Sequence, residues 1–332
     1  MSTAQIDVQQ LCKIYRVPVR PEGLSAALKS LLRPTYNNVE AVNEVSFSIE
    51  AGAMVGLIGP NGAGKTTTLK MLSGLLHPSC GEARVAGYLP WQRHPDYLRR
   101  ISMVMGNKSQ MLWDIPPLDS FRVLAEIYAV PVAEFRQTVD ELIHLLEMEE
   151  LLAKPVRNLS LGERMKCELT ASLLHRPAVL FLDEPTLGLD VSMQLRLRRF
   201  LSEYNQRRGV TVILTSHYMA DVQALCPRVI LIHHGRLLYD GDLGGLARQL
   251  LPFKMLRLTL GEETPVNLTL LCLPQGVEVS EQTANSLTLR VPRAEAPALT
   301  AYLLQSLPVA DLTVEDPPIE AVIDQVYTEG VA

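Results

Sequence analysis

The stretch Gly59-Pro60-Asn61-Gly62-Ala63-Gly64-Lys65-Thr66 matches the phosphate-binding pattern G-x-x-x-x-G-K-[ST] at every fixed position. Apolar residues 54–58 before it predict a buried strand, and residues 65–72 predict the start of a helix. Glycines let backbone N–H groups face a phosphate, and the helix N-terminus adds donors and a favourable dipole. The alternative, a glycine-rich turn before an ordinary helix, is disfavoured by this strand–loop–helix order.

This loop predicts a nucleotide-phosphate site. Lys65 would reach the β- and γ-phosphates, and the Thr66 hydroxyl would hold Mg²⁺. The candidate nucleotide-binding residues of the loop are Gly59, Pro60, Asn61, Gly62, Ala63, Gly64, Lys65, Thr66 and Thr67.

Composition bounds the kind of protein. A length of 332 residues with 47% hydrophobic residues suggests one large domain plus a smaller one, each with a packed core. The chain has 31 basic and 36 acidic residues and no basic block, which argues against nucleic-acid binding. Five scattered cysteines without a C-x-x-C pair favour reduced thiols over a disulfide frame or a zinc site.

No apolar run reaches about 18 residues, so we expect no transmembrane helix. The first residues lack the basic flank and apolar core of a signal peptide.

The periodicity predicts an α/β core with a helical insertion. Strands are expected at residues 6–11, 41–49, 54–58, 179–182, 210–214 and 229–232, and their short apolar character indicates a largely parallel sheet. Residues 98–175 are mostly helical by pattern. Residues 17–40 form an unusual inserted segment with helical spacing at 22–32. The first domain is therefore placed at 1–250.

A second domain is placed at 254–332, where the pattern changes to half-exposed strands. Strands are expected at 255–260, 266–271, 287–291 and 312–314, and helices at 295–307 and 319–327. This predicts a small α+β domain without a chemical motif.

Two acids, Asp183 and Glu184, end the predicted apolar strand at 179–182. Ionised groups at an apolar edge need partners, and with a phosphate loop nearby the partner of Asp183 would be Mg²⁺. Glu184 is then the candidate general base on the attacking water. The alternative is a simple acid pair in a strand-to-turn connection.

The segment Asn158-Leu-Ser160-Leu-Gly162-Glu163-Arg164 precedes a helical stretch. Alone it is an ordinary helix N-cap, although Ser and Gly at a helix start also suit an anion. Upstream of Asp183 and Glu184 it resembles the Leu-Ser-Gly-Gly-Gln signature of ATP-binding-cassette (ABC) ATPases, with Leu161 and Glu163 as departures. The resemblance assigns Ser160 and Gly162 to the γ-phosphate of ATP.

Further positions follow from the resemblance. Asp190, in Leu187-Gly-Leu-Asp190, resembles the D-loop that crosses to a partner subunit, and His217 resembles the switch histidine. Tyr15 resembles the aromatic that stacks on adenine, with plain packing as the alternative. Gln110 is the candidate for the glutamine that senses Mg²⁺ and water, and Asn107 could occupy that place instead.

The resemblance implies a P-loop NTPase cassette, with a mixed sheet core and a helical insertion subdomain, that binds ATP and Mg²⁺. It implies a head-to-tail dimer that hydrolyses ATP beside a separate membrane permease, at the cytoplasmic face of the inner membrane. Trp113 and Phe121 are candidates for docking the permease or for the core. Residues 17–40 suit a membrane-proximal helix or a solvated one.

Residues 18–36, 158–166 and 215–221 resemble prokaryotic exporters of drugs, antibiotics and polysaccharides, with viologen- and daunorubicin-exporting systems as comparisons. An importer ATPase with a regulatory C-terminal domain is the first alternative. A non-transport ABC protein acting on ribosomes or DNA is the second, and it usually needs two cassettes or a long coiled coil, neither of which the sequence contains.

Overall fold

The computed structural model describes residues 4–18, 36–106, 108–250, 253–261, 273–283 and 285–317. The chain forms two compact units, Met1–Gly241 and Asp242–Ala332. We call the first the cassette and the second the C-terminal unit. Among the described residues, no helix combines the length and the apolar character needed to cross a bilayer.

A six-stranded sheet in the order β5-β6-β7-β3-β8-β9 forms the centre of the cassette. Its strands are β3 (Met54–Ile58), β5 (Ile101–Met105), β6 (Val179–Asp183), β7 (Thr211–Thr215), β8 (Arg228–His233) and β9 (Arg236–Asp242). The first five in sheet order run parallel to one another. Strands β3, β6 and β7 are buried at every position, as expected for a parallel sheet covered on both faces. Their carboxyl ends therefore meet at one edge.

A three-stranded antiparallel sheet, in the order β2-β1-β4, completes the mixed architecture. Its strands are β1 (Ile6–Pro18), β2 (Tyr36–Ile49) and β4 (Cys80–Val85). The inserted segment predicted at 17–40 is described only at its two ends, and there it is strand, with Val17 opposite Asn37. The helical spacing at 22–32 lies outside the described residues.

The helices of the cassette are α1 (Lys65–Leu72), α2 (Pro95–Leu98), α3 (Pro117–Ile127), α4 (Val132–Leu146), α5 (Leu161–Leu173), α6 (Val191–Arg208) and α7 (Met219–Leu225). The helical insertion begins later than predicted, because residues 101–105 form strand β5 of the central sheet, parallel to β6. A five-residue apolar segment is too short for periodicity to separate strand from helix.

The C-terminal unit contains α8 (Leu243–Leu250), β10 (Phe253–Leu260), β11 (Glu278–Gln282), β12 (Ser286–Pro292), α9 (Ala296–Ser306) and β13 (Val309–Glu315). Its antiparallel sheet has the order β11-β12-β10-β13, and α9 buries Leu299 and Leu303 in the same apolar cluster as Leu256 and Leu289. Strand β11 was not predicted because all five of its residues are exposed. The strand predicted at 266–271 and the helix predicted at 319–327 lie outside the described residues.

One pair of cysteines corrects the expectation of reduced thiols. Cys12 and Cys80 form a disulfide and are register partners on β1 and β4. They are 68 residues apart in sequence, so spacing alone did not indicate the pairing. Cys167 and Cys226 are free and buried, and burial raises the pKa of each thiol to about 12. Cys272 lies outside the described residues.

Candidate nucleotide site

The phosphate loop joins β3 to α1 at the carboxyl edge of the central sheet. Gly64, the residue before α1, has φ 108°, and a Cβ there would overlap the Ala41 carbonyl oxygen of β2. Only glycine fits both constraints. Asn61 and Gly62 are exposed at the rim, whereas Lys65 is only 6% exposed. The loop therefore wraps around a buried lysine.

Lys65 is held by the loop that it follows. Its Nζ donates to the carbonyl oxygens of Gly59, at 2.6 Å, and of Pro60, at 3.0 Å. Burial lowers the pKa of Lys65, while the nearby carboxylates of Glu184 and Asp183 raise it. The ammonium group thus has weak carbonyl partners that phosphate oxygens can replace.

Asp183 ends β6 and is almost fully buried. Its Oδ1 accepts hydrogen bonds from Thr66 Oγ1, at 3.1 Å, and from Thr215 Oγ1, at 2.8 Å. The structure thus brings together two of the three residues predicted for the metal, Thr66 and Asp183; the third is Gln110. Thr215 was not predicted as a partner of Asp183. Its position at the end of β7, which pairs with β6, was the available indication.

The oxygens of Thr66 and Asp183 are the hard donors that Mg²⁺ prefers. Among the residues described, no group of three or more His, Cys, Asp or Glu side chains could hold a metal.

Glu184 and His217 lie at the same carboxyl edge of the central sheet. His217 Nε2 lies 2.8 Å from Glu184 Oε1, and both side chains are partly exposed, at 36% and 24%. Glu184 has φ 55°, a left-handed conformation that a non-glycine residue adopts at a cost. Its N–H donates to both the carbonyl and the hydroxyl oxygen of Thr215. The side chain of Glu184, the predicted base, is therefore partly exposed to solvent, while its backbone N–H is held by Thr215.

A second surface that carries predicted site residues is built on the N-terminus of α5. Ser160 is the N-cap: its Oγ accepts from Glu163 N–H at 3.3 Å, and its own N–H donates to Glu163 Oε2 at 2.7 Å. This hydrogen bond lowers the pKa of Glu163. Ser160 and Glu163 thus form a capping box at the start of α5. Ser160 is exposed, and its hydroxyl hydrogen is not used by the cap.

Asp190 lies on the same surface. Its Oδ1 accepts from Met193 N–H at 2.9 Å and so caps α6. Together with Ser160 and Gly162 it lines an open cavity of about 770 Å³, whereas Thr66, Asp183 and Glu184 line a different cleft of about 160 Å³. The two cavities share no lining residue. Six of the predicted site residues are therefore divided between two cavities, three in each.

Comparison with known proteins agrees with this geometry. Residues 42–187 match the family model of the ABC transporter, and residues 252–315 match that of the EvrA-like ABC transporter C-terminal domain. The chain is 34% identical to the ABC transporter ATP-binding protein NatA of Bacillus subtilis, over 63% of this chain and 84% of that protein. The chain belongs to the ABC transporter ATP-binding proteins.

Other relatives of this ABC ATPase carry more specific names. It is 32% identical to the Nod factor export ATP-binding protein I of Ralstonia nicotianae, over 81% of this chain and 84% of that one. It is also 32% identical to the daunorubicin/doxorubicin resistance ATP-binding protein DrrA of Streptomyces peucetius, over 65% and 64%. A solved ATP-binding subunit of an ABC transporter superposes with a TM-score of 0.61 at 26% identity, covering 74% of this chain and 93% of that one.

These comparisons confirm the predicted family, fold class and activity. The chain is an ATP-binding subunit of an ABC transporter and an ATPase.

The predicted glutamine of this ABC ATPase lies elsewhere. Gln110 Nε2 donates to Met103 O at 3.4 Å, and Gln110 does not line the cleft at Asp183, where Gly106 and Lys108 do. Asn107, the other candidate, lies outside the described residues. The assignment of Gln110 as the glutamine that senses Mg²⁺ and water therefore stays a prediction.

The loop containing Gln110 is tied to the signature helix α5 by Glu168, which sequence reasoning missed. The buried Glu168 carboxylate accepts from Ser109 Oγ and from the Gln110 N–H, at 3.0 and 3.1 Å to its two oxygens. Burial raises the pKa of Glu168. No sequence signal singles out Glu168, because the buried stretch 165–173 of α5 also contains Lys166, Thr170 and Ser172.

Three aromatic residues complete the predicted set. Tyr15 is 37% exposed on β1, with the Lys13 ammonium 5.4 Å from its ring centre, so it does not belong to the core. Trp113 is 50% exposed and carries the Arg164 guanidinium over its ring. Phe121 is fully buried and therefore belongs to the core, which removes it from the candidates for docking the permease.

Proposed function

We propose that this ABC ATPase closes head-to-tail on a second copy around two ATP molecules and drives export of a drug-like compound through a separate membrane permease. The observation that carries this proposal is the division of the site between two surfaces. Thr66, Asp183 and Glu184, assigned to metal binding and cleavage, line one cavity, and Ser160 at the capped start of α5 lines the other. Two copies facing each other in opposite directions would complete two sites.

Binding begins at the phosphate loop. Lys65 exchanges the carbonyl oxygens of Gly59 and Pro60 for the β- and γ-phosphates, which are stronger partners for an ammonium ion. Thr66 and Asp183 would hold Mg²⁺, which when bound neutralises phosphate charge. Tyr15 is placed to stack on the adenine from an exposed strand.

Hydrolysis is assigned to Glu184 and His217. Glu184 accepts a proton from water as the water oxygen attacks the γ-phosphorus. The bond to the β–γ bridging oxygen breaks, and its electron pair leaves with ADP. The 2.8 Å contact to His217 holds the Glu184 carboxylate in one orientation. We assign orientation to His217 and proton transfer to Glu184.

The γ-phosphate also holds the two copies together. The free hydroxyl hydrogen of Ser160 and the first N–H groups of α5, near Gly162, face the γ-phosphate bound by the other copy. Driving the dimer from mostly open to mostly closed takes about 5.5 kcal/mol, or roughly 2.7 per ATP. One or two charge-assisted hydrogen bonds at about 1.5–3 kcal/mol each supply this. Hydrolysis removes the shared phosphate, and the copies part.

Export is favoured over import by the names of the relatives, which include a Nod factor export protein and a daunorubicin/doxorubicin resistance protein. The ATPase would then lie peripherally at the cytoplasmic face of the membrane. The exposed Trp113 is the contact we assign to the permease.

The test is transport in vesicles that contain the ATPase and the permease that co-purifies with it, using fluorescent daunorubicin as the probe. We expect ATP hydrolysis to move the probe away from the compartment that holds the ATPase, and Glu184→Gln to stop it. Movement toward the ATPase would identify an importer. ATP turnover that daunorubicin and the permease leave unchanged would contradict the drug-export proposal.

A further inference from the structure

Asp221 is a buried charge outside the residues assigned above. It lies in α7, four residues after His217, and is fully buried, with 0% of its surface exposed. A buried carboxylate needs compensating partners. Its hydrogen-bond partners come from three segments near the carboxyl edge of the central sheet. We call Asp221 and these partners the junction.

Two of the partners flank the catalytic pair. Asp221 Oδ2 accepts from Thr186 Oγ1 at 2.5 Å and from Ser216 Oγ at 2.7 Å. Thr186 follows Glu184 by two residues, and Ser216 immediately precedes His217. A single carboxylate oxygen therefore connects the loop that carries Glu184 to the loop that carries His217.

The third partner is Arg198, whose Nε donates to Asp221 Oδ1 at 2.6 Å. Arg198 is on α6, the helix capped by Asp190. Its side chain is only 15% exposed, so the ion pair is shielded from solvent. Through Arg198, the junction also includes the helix that begins on the signature surface.

The backbone between these anchors is under constraint. Glu184 has φ 55°, and such a conformation persists only when neighbouring bonds over-determine it. The Thr215 bonds hold Glu184 from the side of β7, and Asp221 holds Thr186 on its C-terminal side. Ser216 Oγ, which donates to Asp221, also accepts from Tyr218 N–H at 3.0 Å and so fixes the turn that presents His217.

We propose that Asp221 is a positioning residue for ATP hydrolysis, which keeps Glu184 and His217 in register by hydrogen-bonding both of their loops. This inference rests on the proposed role of Glu184 as base. Its consequence is specific: loss of the Asp221 carboxylate slows the chemical step and leaves ATP binding at Lys65 and Thr66 in place. A solely structural ion pair would instead lower stability without changing kcat of the folded protein.

The experiment compares Asp221→Asn with Asp240→Asn in the full-length ATPase. Asp240 is a matched control because it also pairs with an arginine, Arg228, through both carboxylate oxygens, at 2.6 and 2.7 Å. We expect Asp221→Asn to lower kcat about 10- to 100-fold, since small misplacements of catalytic groups have effects of this size. KM for ATP should change less than about threefold. Asp240→Asn should keep both values.

Two outcomes would overturn the inference: a folded Asp221→Asn protein with wild-type kcat, or equal losses of kcat in both variants. If Asp221→Asn does not fold, Thr186→Val removes one of the hydrogen bonds alone. Its kcat should fall, and Thr186→Ser, which restores the hydroxyl, should recover most of the loss. Unchanged kcat in Thr186→Val would also reject the inference.

A second measurement separates this inference from the proposed function. In a Glu184→Gln background, Asp221→Asn should still allow ATP to hold two copies together in size-exclusion chromatography, because positioning acts on cleavage and not on binding. Normal hydrolysis by Glu184→Gln alone would reject the base itself. An inactive Glu184→Gln combined with full activity in Asp221→Asn would reject only the role of Asp221.

Discussion

The phosphate-loop surface and the signature surface of the cassette differ in how much of their chemistry is complete within one chain. On the first, Lys65 is bound to loop carbonyls, Thr66 to Asp183, and Glu184 to His217. On the second, Ser160 is exposed, and its bonds serve the helix cap. In the proposed dimer, one chain suffices to bind ATP, and the second chain supplies the remaining contacts to the γ-phosphate.

The largest expected effect comes from removing Glu184, the predicted general base, from the phosphate-loop surface. Glu184→Gln should lower kcat about 10²- to 10⁴-fold, since proton transfer by a positioned base contributes that much. Affinity for ATP should remain, and ATP should trap the closed dimer. Phosphate release and size-exclusion chromatography measure the two effects. Glu203→Gln, at a partly exposed glutamate of α6 paired with Arg207, is the control and should behave as wild type.

The next prediction tests whether each ATP uses both surfaces. Lys65→Ala should weaken ATP binding about 10- to 100-fold in calorimetry, because charge-assisted hydrogen bonds contribute about 1.5–3 kcal/mol. Lys254→Ala, which removes an ion pair with Asp316 in the C-terminal unit, is its control and should bind normally.

Ser160→Ala should keep the affinity of a single copy for ATP and lose ATP-driven association.

Mixing the two variants sharpens the comparison. In a head-to-tail dimer, the Ser160→Ala chain supplies an intact phosphate loop and the Lys65→Ala chain an intact signature surface. Random pairing should therefore restore about a quarter of the wild-type sites. ATP turnover of the mixture is the measurement. A mixture no more active than the sum of its parts would contradict sites shared between chains.

The smallest expected effect concerns the cap on the signature surface. The hydrogen bond from Ser160 N–H lowers the folded-state pKa of Glu163. The ionised Glu163 therefore contributes stability above its unfolded pKa, and this contribution is lost as pH falls through the folded value. Glu163→Gln should lower the melting temperature slightly at pH 7, and this difference should shrink as the pH falls below the ordinary pKa of a glutamate. Glu126→Gln, at an exposed position of α3, is the control. If the difference in melting temperature between wild type and Glu163→Gln grows as the pH is lowered, the assignment of Glu163 as an ionised cap is wrong.

Much of the fold was predictable where the information is local. The phosphate loop, the buried strands β3, β6 and β7, and the small C-terminal α+β unit were expected from apolar patterns and glycine spacing. Strands β5 and β11 were not, since the first is too short to show a period and the second is wholly exposed. Their assignment depends on neighbouring strands that supply hydrogen bonds.

In the candidate site, too, contacts between motifs were predictable and contacts of isolated residues were not. The meeting of Thr66 with Asp183 followed from two motifs that end at one sheet edge. The buried acids Glu168 and Asp221 were not found, because an isolated acid in a helix reads as a solvated side chain until its partners are known. The orientation of Gln110, the burial of Phe121 and the Cys12–Cys80 bond likewise depended on contacts distant in sequence.

By itself the sequence determined a glycine-rich loop between a buried strand and a helix, a pattern that predicts nucleotide binding. Glycines, a lysine and a hydroxyl at fixed spacing constrain the backbone over only a few residues. Tertiary structure alone decided which distant side chains meet: Glu184 with His217, Asp221 with Thr186 and Arg198, and Cys12 with Cys80. Strand register and helix packing set those distances, and neither is encoded in any single short segment.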